Sequence, residues 1–71
     1  MRKLLKKYRL AAGFESMTQA AEAAGMTRQA WANLEKTNAD GTIRNWRLIQ
    51  KALGLTGEEV WSVITEEEEE E

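Results

Sequence analysis

The chain contains no cysteine, no histidine and no proline. Without cysteine there is neither a disulfide nor a thiolate zinc site, and without histidine the commonest general base and metal ligand are missing. The sequence therefore predicts that the protein is not an enzyme and that it needs no metal and no cofactor. The absence of proline leaves long helical stretches uninterrupted.

Long apolar runs are missing as well. No stretch of the 71 residues approaches the roughly 20 apolar residues that cross a bilayer, and the basic N-terminus lacks the apolar segment of a signal peptide. We therefore expect no membrane partner and a cytoplasmic location, in a bacterial nucleoid or a host cytoplasm. A chain of this length forms one small domain with little room for a deep substrate pocket.

The charge is distributed unevenly along the chain. The formal net charge of −2 includes the terminal run Glu66–Glu71, and without that run ten basic residues face six acidic ones, a net charge of +4. A mildly basic domain with an acidic tail suits a nucleic-acid partner. Half of the basic residues lie in the first nine positions, namely Arg2, Lys3, Lys6, Lys7 and Arg9.

Apolar residues recur at helical spacing in five segments, so we predict an all-α fold of five short helices around one core. The first covers residues 2–12, with Leu4, Leu5, Tyr8, Ala11 and Ala12 on one face and Gly13 as its stop. Lys3, Lys6 and Lys7 fall on the opposite face, which is either simply solvated or attracts phosphates. The second helix, Met17–Ala24, begins at Ser16, which forms a capping-box pattern with Gln19.

Gly25 ends the second helix, and Thr27 is the predicted N-cap of a third helix over Arg28–Lys36. A turn cluster, 38–41, and the cap Thr42 precede a fourth helix, Ile43–Leu53, which Gly54 stops. Its predicted apolar stripe is Ile43, Trp46, Ile49 and Leu53. Leu55 is expected to be buried, and Thr56 caps a final helix whose apolar residues are Val60, Trp61, Val63 and Ile64.

The stretch Ala20–Leu34 meets the steric requirements of a helix-turn-helix motif in a single register. The two helices of such a motif cross around a tight turn, so one position must be small and another must allow a left-handed backbone. Ala21 and Gly25 occupy these positions. The positions that must face the core are all apolar: Ala20, Ala24, Met26, Trp31 and Leu34.

The segment Gly25–Glu35, Gly-Met-Thr-Arg-Gln-Ala-Trp-Ala-Asn-Leu-Glu, resembles the core of the lambda-repressor/Cro-like (XRE) helix-turn-helix family. The spacings Leu5…Arg9…Gly13 and Thr42…Leu55 resemble the first and fourth helices of that family. The resemblance implies a compact lambda-repressor-like DNA-binding domain over residues 1–65. Residues 66–71 would be an acidic tail, expected to be disordered or a frayed helix end, that either aids solubility or competes with DNA for the basic surface.

The resemblance also implies roles for individual residues. Arg28, Gln29 and Asn33 would project from the third helix into the major groove, where arginine recognises guanine and amides recognise adenine. Thr27 would contact a phosphate or a base, and Lys36 and Arg44 would contact phosphates. The family usually opens its second helix with a glutamine that contacts a phosphate. Met17 stands there in this chain, so either Gln19 takes the phosphate role through a shifted helix start or that contact is missing.

The function that follows is a Cro- or repressor-type transcriptional regulator of phage or plasmid type. It would bind a pseudo-palindromic double-stranded operator as a homodimer, paired through Val60, Trp61 and Ile64 of the last helix. Two alternatives stay open because a fold does not fix a function. One is a protein-interaction module such as an antitoxin or anti-repressor, and the other is an excisionase-like architectural DNA-binding factor.

Glu35, at the end of the third helix, is expected to have a structural role and to pair with Arg9.

Overall fold

A computed structural model of the chain describes residues 1–37 and 39–66, and these residues form five α-helices. Their bounds are α1 Lys3–Ala11, α2 Met17–Ala24, α3 Arg28–Lys36, α4 Ile43–Leu53 and α5 Gly57–Ile64. The predicted all-α architecture is therefore confirmed. Helix α2 packs against α3 and α4, α1 packs against α3 and α5, and α4 packs against α5.

Side-chain caps explain why four of the helices begin where they do. The hydroxyls of Ser16, Thr27, Thr42 and Thr56 each accept a hydrogen bond from a backbone N–H of the first turn, at 3.1 Å. Ser16 and Thr56 form complete capping boxes with Gln19 and Glu59. These bonds satisfy amide groups that a helix start leaves without partners, so the capping residues fix the helix starts.

Two of the helices end at a left-handed glycine. Gly25 closes α2 with φ +73°, and Gly54 closes α4 with φ +66°. Glycine adopts this conformation without the steric cost that a Cβ atom would impose. The connection from α2 to α3 is consequently only three residues long.

The core contains side chains from all five helices. Trp31, Trp46 and Ile49 lie at its centre with Leu5 and Val63, and the alanines of α2 let its neighbours approach closely. The predicted core positions of the Ala20–Leu34 stretch are confirmed: Ala20, Ala21, Ala24, Trp31 and Leu34 are buried, and Met26 is partly buried against them.

Several predicted burial assignments are wrong. Ala11 and Ala12 are exposed, because α1 turns Leu5 and Arg9 inward instead. Ile43 is 79 % exposed and does not belong to the apolar stripe of α4. Leu55 is only partly buried.

Arg2 is the largest departure from the sequence-based prediction, because it is 2 % exposed and lies inside the molecule. Its guanidinium donates to the carbonyl oxygens of Leu34 and Thr37, at 2.8 and 3.1 Å, and to those of Val63 and Ile64, at 3.2 and 3.4 Å. These carbonyls belong to the C-terminal ends of α3 and α5, where a helix leaves acceptors unsatisfied and favours a cation. Arg2 therefore joins the ends of two helices.

The surroundings of Arg2 complete this interior cation site. Its guanidinium carbon lies 4.9 Å from the centroid of the Trp46 ring, within cation–π range. Burial lowers the pKa of Arg2 from its ordinary value, and the negative charges of Asp40 and Glu66 oppose that shift. The sequence gives no direct sign of such a role, because an arginine next to the first residue resembles a surface charge.

The first glutamate of the terminal run has a defined contact. Glu66 Oε1 accepts a hydrogen bond of 2.9 Å from the backbone N–H of Leu4, in the first turn of α1. A carboxylate at a helix N-terminus is stabilised by the helix dipole. Glu66 therefore belongs to the folded domain rather than to a disordered tail, and the rest of the predicted tail, residues 67–71, lies outside the described residues, as does Asn38 of the predicted turn cluster.

Candidate nucleic-acid interface

The inner face of α3 is fixed by a buried carboxylate, Glu35. Its Oε1 accepts from Arg9 Nε at 2.9 Å and from the indole Nε1 of Trp31 at 3.1 Å, and its Oε2 accepts from a second Arg9 nitrogen at 3.4 Å. The Arg9 and Glu35 side chains are only 6 % and 4 % exposed. Arg9 also donates to the carbonyl oxygen of Phe14 at 2.9 Å. The pairing predicted for Glu35 is thus confirmed.

This network determines the rotation of α3 about its own axis. Glu35 and Trp31 are four residues apart and lie on one face, so bonds from α1 to that face hold the opposite face toward solvent. The C-terminal end of α3 is held as well, because Arg2 binds the Leu34 carbonyl and its own backbone N–H donates to the Glu35 carbonyl at 2.8 Å. Helix α3 is therefore held in place both along its inner face and at its C-terminal end.

The outer face of α3 carries polar and cationic side chains that are all exposed: Arg28, Gln29, Asn33 and Lys36. With 3.6 residues per turn these positions span an arc of about 140° and a length of about 12 Å. A major groove is about 12 Å wide and admits an α-helix. No acidic side chain lies among these four positions, so the face presents only donors, amides and positive charge.

Two members of this face contact each other. Gln29 Nε2 donates to Asn33 Oδ1 at 3.3 Å, one helical turn away. Among the described residues this bond leaves the Gln29 carbonyl oxygen and the Asn33 amide nitrogen without a partner, so the pair has one free acceptor and one free donor. An acceptor for N6 and a donor for N7 are the groups that recognise this edge of adenine.

Thr27 lies at the N-terminal end of the same face. Its hydroxyl oxygen caps α3 by accepting from the backbone N–H of Ala30. The hydroxyl proton stays available to a phosphate oxygen, and a helix N-terminus itself attracts anions. Thr27 thus combines its structural role with the position that a phosphate contact requires.

The remaining two predicted site residues belong to other elements. Gln19 is exposed on α2, but its carbonyl oxygen accepts from the backbone N–H groups of Glu15 and Ser16, at 3.0 and 3.2 Å. Only its amide nitrogen is left for a phosphate. Met17, at the position where the resembling family has glutamine, is partly buried against the core.

Arg44 is exposed near the start of α4, where it lines a groove together with Arg47 and Lys51. Sequence reasoning did not single out Arg47 or Lys51. The signal was present in the spacing, since positions 44, 47 and 51 fall on one face of a helix. The basic surface of the protein thus includes an α4 stripe as well as the outer face of α3.

Two features are absent from the described residues. No cluster of three or more acidic side chains at metal-binding spacing occurs within residues 1–37 and 39–66. None of the five described helices is both long and apolar enough to cross a membrane.

Comparison of the chain with protein-family models, curated proteins and solved structures finds no match.

Proposed function

We propose that the protein is a sequence-specific DNA-binding transcriptional regulator of the Cro/repressor type, and that α3 reads the major groove of its operator. The observation that carries the proposal is the contrast between the two faces of α3. One face is fully bonded inside the domain through Glu35, and the other presents Arg28, Gln29 and Asn33 with unused hydrogen-bonding groups.

An exposed polar helix face is in most proteins only solvated, so its setting matters. Here the helix follows a connection of three residues with a left-handed Gly25, as a helix-turn-helix requires. The outer face lacks carboxylates, which would repel phosphates. Together these features favour nucleic acid over a protein partner as the ligand of α3.

The division of roles on this surface follows from chemistry. Arg28 would pair with guanine, and the Gln29–Asn33 pair would read adenine. Thr27, Lys36, Arg44 and the free amide nitrogen of Gln19 would bind phosphates, which fix the position of the domain without carrying sequence information.

One domain offers few base contacts, and therefore we propose that two copies bind a pseudo-palindromic operator. Half-sites on one face of the duplex are about 34 Å apart. The longest dimension of the folded backbone is 33 Å, so two copies at this spacing do not overlap. Of the helix α5 residues expected to pair, Val60 and Ile64 pack partly against their own core, whereas Trp61 is 64 % exposed and available.

Selection from a random pool of double-stranded DNA tests the proposal. The expected product is one enriched sequence with two inverted half-sites whose centres lie about 10 base pairs apart. A pool that stays random through successive rounds, while the protein keeps its helical circular dichroism spectrum, would refute sequence-specific reading. Enrichment of flexible steps without palindromy would indicate an architectural DNA-binding factor instead.

A further inference from the structure

Two large apolar side chains are left mostly exposed on the last two helices. Ile43, at the start of α4, is 79 % exposed, and Trp61, in the middle of α5, is 64 % exposed. Each exceeds the exposure of the other large apolar residues of the described chain that reach the surface, Leu10 at 48 % and Met1 at 36 %. Exposed apolar side chains mark an interaction surface when they belong to a larger patch, so the neighbours of each residue decide whether it does.

Ile43 belongs to an open groove of about 910 Å³ along α4, which we call the α4 groove. Its apolar walls come from Ile43 and Leu48 on the helix and from Leu55 just after it. Its charged residues are all cationic, namely Arg44, Arg47 and Lys51, and none of the three forms an ion pair within the described residues. The groove therefore suits a segment that is both apolar and acidic.

Trp61 belongs to a second surface, which we call the α5 face. Glu58, Trp61, Ser62 and Thr65 are all exposed and follow the i, i+3, i+4, i+7 spacing of one helical face. Glu59 is engaged in the cap of α5, whereas the Glu58 carboxylate has no hydrogen-bond or ion-pair partner in the described part of the chain. The α5 face thus has the apolar and acidic character that suits the α4 groove.

We propose that the α5 face of a second copy of this chain docks in the α4 groove, and that the reverse contact forms at the same time. Leu55 lines the groove and lies two residues before α5 begins, so the two surfaces are neighbours in one molecule. Neighbouring complementary surfaces allow a closed twofold dimer in which each contact occurs twice. The inference rests on the proposed function, which requires two copies on one operator.

The chemistry of the contact follows from the two surfaces. Trp61 covers Ile43 and Leu48 of the other copy, which removes the most exposed apolar groups from water. Glu58 lies among the groove cations, and an arginine there can also stack on the Trp61 ring. This arrangement differs from a pairing of α5 with α5, in which the α4 groove would stay empty.

Charge reversal in trans tests the proposal. Arg47→Glu sets two carboxylates against each other at both contacts, and Glu58→Arg sets two cations against each other. Each single variant should weaken self-association by roughly tenfold or more in sedimentation equilibrium without DNA. A mixture of the two variants should recover association, because in the mixed dimer both contacts pair opposite charges. Arg44→Glu and Lys51→Glu repeat the test at the other two groove cations.

Matched controls separate the contact from the fold and from DNA binding. Lys7→Glu makes the same type of charge change on the exposed side of α1 and should leave association unchanged. Ile43→Lys and Trp61→Lys should each weaken it with an unchanged circular dichroism spectrum, since both side chains are exposed. Affinity for half-site DNA is measured separately, so that failure of α3 to bind DNA is distinguished from failure of the dimer contact.

Three results would overturn the inference. One is a wild-type chain that stays monomeric at every concentration. Another is loss of association in Trp61→Lys but not in Ile43→Lys, which would indicate that α5 pairs with α5. The third is the absence of recovery in all three charge-reversal mixtures.

Discussion

Both faces of α3 carry charged side chains, but only those of the inner face have their hydrogen bonds satisfied within the domain. On the inner face, Glu35 receives three hydrogen bonds from Arg9 and Trp31, and hardly any of its surface meets water. On the outer face, Arg28 is exposed and has no bonding partner among the described residues. A charge whose bonds are satisfied inside the domain contributes to folding, and a charge with unused bonds on the surface can bind a ligand.

The same distinction divides the arginines of the chain. Arg2 and Arg9 are buried and bind carbonyls or a carboxylate at the ends and inner face of α3. The exposed arginines are Arg28, Arg44 and Arg47. A count of basic residues therefore overstates the basic surface. The surface formed by residues 1–65 nevertheless keeps a net positive charge, because the buried Glu35 offsets one of the two buried arginines.

The largest effect on stability is expected for Arg9→Ala. The change leaves the Glu35 carboxylate buried without its cation, which typically costs about 3–5 kcal/mol. Urea unfolding followed by circular dichroism measures the loss. A loss under about 1 kcal/mol would mean that water reaches Glu35 and that the inner face is less closed than described.

The double variant Arg9→Met/Glu35→Gln is the control for this prediction. It removes both charges but keeps a side-chain acceptor for the indole of Trp31. We expect it to regain part of the stability that Arg9→Ala loses, because no uncompensated charge stays buried. A double variant as unstable as Arg9→Ala would assign the loss to packing rather than to charge.

The next largest effect is expected at a glycine that touches the inner face. Gly41 has φ +68°, and a Cβ atom there would lie 2.6 Å from Leu34 Cδ2 and 3.1 Å from Trp46 Nε1. Gly41→Ala combines left-handed strain with overpacking, for a total of about 2–5 kcal/mol. Thermal unfolding measures the change.

Gly25→Ala is the matched comparison for Gly41→Ala. Gly25 has φ +73°, but a Cβ atom would meet nothing within 4 Å. Only the backbone strain applies, about 1–2 kcal/mol. Equal losses for the two variants would show that contact with Leu34 and Trp46 contributes nothing, and a larger loss at Gly25 would contradict the described turn.

The smallest effect on stability is expected on the outer face. Arg28→Ala should change the free energy of unfolding by no more than about 0.5 kcal/mol, since the side chain is exposed and has no bonding partner among the described residues. The urea midpoint measures it. A loss above about 1 kcal/mol would assign Arg28 to the structure and remove it from the candidate interface.

Local signals explain why most helix bounds could be predicted from the sequence. Caps such as Ser16 and stops such as Gly25 act through bonds within a few residues, so their pattern is readable along the chain. The bounds of α2, α3 and α4 are confirmed to the residue. The exposure of the predicted base-reading residues also follows from helical spacing, because their burial depends on only one helix.

Contacts between distant segments could not be predicted in the same way. Arg2 meets α3 and α5 through residues 32 to 62 positions away, and Glu66 meets Leu4 from the other end of the chain. Nothing local distinguishes Arg2 from the surface lysines that follow it. The predicted burial of Ile43 is wrong for a related reason. The spacing of apolar residues along α4 does not show how far a neighbouring helix extends, and therefore it does not show which end of the stripe is covered.

The proposed reading of DNA by the outer face of α3 is tested by comparing two kinds of DNA. The double variant Arg28→Ala/Asn33→Ala is titrated against a selected operator and against random duplex, with Lys36→Ala as the control. Loss of base contacts should weaken operator binding by roughly 30-fold or more and leave random duplex binding nearly unchanged. Lys36→Ala should weaken both equally, as expected for a phosphate contact. If the double variant keeps the wild-type preference for the operator, the outer face of α3 does not read DNA.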